Sequence, residues 1–68
     1  MVEYHIGTVY NRYGREETNL SIIHAQNDVA ATKKWREYLS DIPFKISSSQ
    51  LRQVLGKETK LVRAFVKE

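Results

Sequence analysis

Ser47-Ser48-Ser49-Gln50-Leu51-Arg52-Gln53-Val54-Leu55-Gly56-Lys57-Glu58-Thr59 decides the fold of this chain, because it reads two ways. In one reading a serine bonds forward and Gln50 reaches back, which is a capping box at a helix start. Leu51, Val54 and Leu55 then fall at i, i+3 and i+4, and Gly56 stands where a helix-ending glycine belongs. That gives a short second helix over 48–55. In the other reading 44–55 is a strand, with Gly56-Lys57-Glu58-Thr59 as a hairpin loop. Such a strand needs a bulge, since Phe44 and Ile46 are out of phase with Leu51 and Leu55. The capping signal favours the helix, and the strand stands as the alternative.

Working outward, Lys60 to Lys67 is a strand on either reading. Upstream, Ala31, Trp35, Tyr38, Leu39 and Ile42 form one apolar stripe at helical spacing, with Lys33, Lys34, Arg36 and Glu37 off it. Asn27 or Asp28 caps this helix, 28–41, and Pro43 ends it. Trp35, in the middle of the stripe, belongs to the core. Residues 2–10 alternate, Val2, Tyr4, Ile6, Thr8 and Tyr10 on one face, as in a half-buried strand. Asn11-Arg12-Tyr13-Gly14 supplies a turn, and a second strand follows from Glu17 to Ala25 with Leu20, Ile22 and His24 on one face. The expected fold is α+β: an antiparallel sheet of three or four strands packed on one main helix, in the order β-β-α-(short α or β)-β, as one domain over 1–68.

Sixty-eight residues bury too little surface for ample stability, so such chains often need a staple. Cysteine is absent, and the only histidines, His5 and His24, are far apart with no neighbouring ligand. Disulfides and a structural metal are therefore not expected, nor is any cofactor. Each histidine is expected to be partly buried against a backbone carbonyl. The N-terminus lacks the apolar run of a secretory signal, and no stretch is long enough for a membrane helix. A complete, cytoplasmic protein is the expectation.

Candidate chemistry is sparse. The acids sit beside bases or in turns, and Ser47, Ser48 and Ser49 lack a strand–turn–helix elbow. The glycines at 7, 14 and 56 form no phosphate loop. An enzyme and a small-molecule substrate are not expected. Residues 1–32 hold Arg12 and Arg15 against four acids, a sum of −2; residues 33–68 hold nine bases against four acids, a sum of +5. Arg12, Tyr13 and Arg15 at the first turn, with Lys33, Lys34, Arg36, Lys57, Lys60 and Arg63, are candidates for nucleic-acid contact, though no named module fits.

Apolar residues on both faces of the strands carry more weight. One helix covers one face, yet Val9, Ile23, Val62, Ala64 and Val66 read as a second apolar surface. Either the element after residue 47 folds over the back or another chain does, and the second is favoured. The expected function is a binding module acting through protein–protein contacts, as a homodimer or docked on a larger protein. The passage from Ile23 to Trp35 is similar to the strand-to-helix step of many small ββα proteins, some ribosomal and many phage-encoded. That resemblance implies shared geometry and assigns no residue a role; a viral or accessory regulator acting on host machinery is one setting for it.

Overall fold

The computed structural model describes residues 1–67. Strands β1 (Val2–Arg12) and β2 (Arg15–Ala25) are followed by helix α1 (Asp28–Ser40), then strands β3 (Lys45–Leu55) and β4 (Glu58–Val66). The order is therefore β-β-α-β-β. All four strands join one antiparallel sheet in spatial order β2-β1-β3-β4.

The short helix expected over 48–55 does not form; that segment lies within β3, the partner of both β1 and β4. The physical reason is the number of partners. An eight-residue helix is marginal on its own. In the sheet the same residues satisfy two ladders and bury Leu51 completely. The serines are used differently as well: Ser49 Oγ accepts the Trp35 indole N–H at 2.9 Å and donates to the Gly7 carbonyl at 3.1 Å. Thr8 stands 3.1 Å from the same oxygen, so the buried hydroxyls are satisfied.

Two bulges set the phase of the second half. Val9 pairs with Ser48 but Tyr10 pairs with Ile46, which leaves Ser47 unpaired in β3. This is the bulge that the strand reading required. Leu51 pairs with Arg63 but Arg52 pairs with Leu61, which leaves Val62 extra in β4. An extra residue reverses every side chain beyond it. Leu61 and Phe65, four residues apart in one strand, are thus on opposite faces.

Asn27 caps α1, its Oδ1 accepting the Ala30 N–H at 2.9 Å. The helix lays Ala31 and Trp35 on Tyr4, Ile6, Ala25 and Leu51, and Val2, Ile23, Tyr38, Leu39 and Val62 pack around them. Trp35 is a core residue, as its place in the stripe implied. The Tyr4 hydroxyl donates to Asp28 Oδ1 at 2.8 Å, tying the first helical turn to β1. Burial first, then that bond and the carboxylate's charge, pushes the Tyr4 hydroxyl up to about 12. At the first turn Tyr13 (φ 52°) and Gly14 (φ 82°) are both left-handed, the pattern of a two-residue hairpin. Asn11 contributes through its side chain, accepting the Gly14 N–H at 2.9 Å.

Candidate docking surface

Alternation along the strands divides the sheet into a helix-covered face and an open one. The open face can be followed row by row through the register. Thr18, Val9, Ser48 and Val66 make one row; Leu20, Gly7, Gln50 and Ala64 the next; Ile22, His5, Arg52 and Leu61 a third. No element among the described residues crosses these rows, so the segment after residue 47 is not a lid. Leu20 is 66% exposed, Ile22 56%, Leu61 48% and Val66 72%. The most exposed apolar groups therefore stand on the edge strands β2 and β4, with mostly polar side chains between them and Val9 on β1 and Val54 on β3 as the exceptions.

Of the residues expected to form a second apolar surface, Val9, Ala64 and Val66 do lie on the open face. Ile23 and Val62 do not. Ile23 pairs with Tyr4 and packs under the helix, and the β4 bulge turns Val62 to the same side. Leu20, Ile22 and Leu61 take their places. The shared phase of Leu20 and Ile22 was visible in the alternation of β2, whereas Leu61 was hidden by the bulge.

Gly7 occupies the middle of the open face. It is not among the left-handed residues, and a Cβ built there would meet nothing within 4 Å. Neither backbone conformation nor packing inside the chain requires a glycine, which weakens a central strand. Its effect is a notch between Leu20 and Gln50.

Near the start of β1, Glu3 lies between two histidines, 2.9 Å from His5 Nε2 and 3.9 Å from His24 Nε2. The expectation of a backbone carbonyl as histidine partner gives way to this carboxylate. No group of three or more metal-ligating side chains occurs among the described residues.

The basic candidates do not converge on one surface. Arg12, Tyr13 and Arg15 sit at the β1–β2 turn, while Lys57 and Lys60 sit at or beside the β3–β4 turn, at the opposite end of the sheet. Arg12 lies over the Tyr13 and Phe44 rings at 5.8 and 5.7 Å, and Phe44 also stacks on Tyr10. These groups are thus engaged with one another. Burial, then the 3.1 Å bond to Glu17, raises the Tyr10 hydroxyl above its usual value. Lys34 donates to the His24 carbonyl at 2.6 Å. Lys33, Arg36 and Arg63 do come together, along a groove between α1 and β4.

Compared with known proteins, the chain matches no family model, no curated protein and no solved structure. No helix among the described residues is long and apolar enough to cross a membrane.

Proposed function

We propose that this chain is a small non-enzymatic binding module that works through protein–protein contacts, with the open face of the sheet as its docking surface and a second copy of itself as the occupant. The observation that supports this reading most directly is the uncovered apolar set Val9, Leu20, Ile22, Leu61, Ala64 and Val66.

Two global quantities agree with it. A compact monomer of 8.0 kDa exposes about 4450 Å², whereas this chain exposes 5027 Å². Its radius of gyration is 12.0 Å, against about 11 Å for a compact domain of this length. Four strands about 4.8 Å apart and about 30 Å long have a footprint of roughly 550 Å². Side chains standing on that footprint bring it near the ~800 Å² per partner of a standard interface. Glu3 and Glu16 share the face with Arg52, so each copy offers charges of both signs that a twofold axis can set against their opposites. The notch at Gly7 lets an opposing side chain approach the backbone.

Sedimentation or light scattering from micromolar to millimolar concentration tests this. A dimer is expected, and Ile22→Lys with Leu61→Lys should return it to monomer with an unchanged circular dichroism spectrum. A wild-type chain that stays monomeric at millimolar concentration would end the self-association reading.

A further inference from the structure

The outer edge of β4 is a second surface, which borders the open face at Leu61, Ala64 and Val66 but presents backbone rather than side chains. β4 pairs only with β3, so one side of its backbone faces outward. The Lys67 N–H bonds to the Ser47 carbonyl at 2.9 Å. Because antiparallel bonding alternates, Phe65 also directs its N–H to β3, and Ala64 and Val66 direct theirs away from the sheet.

Charge decides what can pair with this edge. Sheet order places the two strands of the basic half side by side. Residues 45–68 carry Lys45, Arg52, Lys57, Lys60, Arg63 and Lys67 against Glu58 and Glu68, six minus two, or +4. None of these six cations makes an ion pair among the described residues; the ion pairs present involve Arg12 and the histidines. The Lys67 ammonium is held below the usual lysine value, first by its contact with Lys45. Two β4 edges brought together would set one +4 hairpin against another, which disfavours a second copy. An acidic chain meets no such barrier.

The flank of β4 adds a side-chain code. α1 leaves a groove of about 520 Å³ beside β4, lined in part by Lys33, Arg36, Val62 and Arg63. Asp28 and Glu37 also border it, so the groove carries three cations against two anions and a net charge of +1. Side chains of an added strand alternate between this groove and the open-face side, where Leu61, Ala64 and Val66 stand.

We infer that β4 is a docking edge for an extended acidic segment of another protein, added as a fifth strand. Its carboxylates lie along Lys33, Arg36 and Arg63, and its alternate apolar side chains lie beside Leu61, Ala64 and Val66. Main-chain bonds to Ala64 and Val66 supply affinity, and the alternation supplies selectivity. The lysines and the Val62 bulge discourage self-pairing of the edge, and the same charge favours this partner.

The test titrates the full-length chain with a capped, fluorescent peptide alternating glutamate and valine, with a lysine–valine counterpart, and with a single-stranded oligonucleotide. Saturable binding is expected for the glutamate peptide alone, weakening steeply as salt rises, with slowed exchange of the Ala64 and Val66 amides. Lys60→Glu with Arg63→Glu should weaken it by at least about tenfold. Ala64→Pro removes one outward donor without touching the β3 ladder and should weaken it in the same direction. Circular dichroism reports whether each variant is folded. The inference fails if the glutamate peptide does not bind at low salt, or if the oligonucleotide binds as well as the peptide. It fails equally if the folded charge-reversal variant keeps full affinity. Lys60 and Arg63 stand on the helix side of the sheet, opposite Gln53 and Leu51, so the charge-reversal outcome is read independently of dimerisation through the open face.

Discussion

The two hairpins of this sheet are built from similar lengths of chain and behave differently. β1–β2 is an unbroken ladder from Val2↔Ala25 to Arg12↔Arg15, closed by two left-handed residues. β3–β4 slips at Leu51/Arg52, and β3 slips again against β1 at Val9/Tyr10. Residues 1–25 hold Arg12 and Arg15 against Glu3, Glu16 and Glu17, or −1, while residues 45–68 hold +4. One hairpin is regular and near neutral; the other is bulged and cationic. The difference shows where a small sheet can carry specificity: in the hairpin whose edge is irregular and charged, while the regular one supplies much of the core.

Removing the group that joins the two hairpins gives the largest expected effect. Trp35 rests on the β1 core residues and donates to Ser49 on β3. Trp35→Ala should cost about 3–5 kcal/mol, comparable to the whole stability of so small a domain. Thermal unfolding followed by circular dichroism should show little or no cooperative transition. Trp35→Phe keeps most of the packing and loses the indole donor, so it should remain folded with a midpoint clearly below wild type.

That contrast also explains how much of the architecture was legible. The first hairpin, the cap at Asn27 and the helix stripe through Trp35 were readable, because each follows an unbroken period. β3 was not. Its Ser-Gln capping pattern and its Leu51, Val54, Leu55 spacing are local signals, and the contacts that overrule them come from residues some forty positions away, such as Thr8 with Ser49. The open face was legible in Val9, Ala64 and Val66 but misassigned at Ile23, which shares Tyr4's face, and at Val62, which follows the bulge. A single inserted residue changes phase without leaving a composition signature.

Next in size is an alkaline effect centred on β1. Tyr4 is fully buried, and its hydroxyl is raised from 10.0 to about 12 in the folded chain. The unfolded tyrosine ionises first, so the folded state holds the extra proton between those values. This contribution is complete below pH 10 and is lost as pH rises through about 12. Denaturant midpoints measured across that range should fall more steeply for wild type than for Tyr4→Phe. At neutral pH the same variant should be about 1 kcal/mol less stable, having lost its bond to Asp28.

The turns offer a matched pair. Gly14 at φ 82° and Gly56 at φ 65° close the two hairpins in conformations that side chains resist. Gly14→Ala and Gly56→Ala should each lower stability by about 1 kcal/mol, read from urea melts at constant slope. A cost at Gly56 much smaller than at Gly14 would mean that the bulged hairpin relaxes its turn where the regular one does not.

Gly7 reverses the sign and carries the smallest effect. Its backbone is compatible with alanine and nothing opposes a Cβ there, so Gly7→Ala should stabilise the monomer by about 0.5 kcal/mol through the unfolded chain. The methyl group would also fill the notch between Leu20 and Gln50, and the dimer should weaken while the isolated fold strengthens. A variant that gains stability and still associates as wild type would show that opposing side chains do not enter the notch. Opposite signs in the two measurements would place a contact at the centre of the open face, where the intramolecular packing gives the glycine no other use.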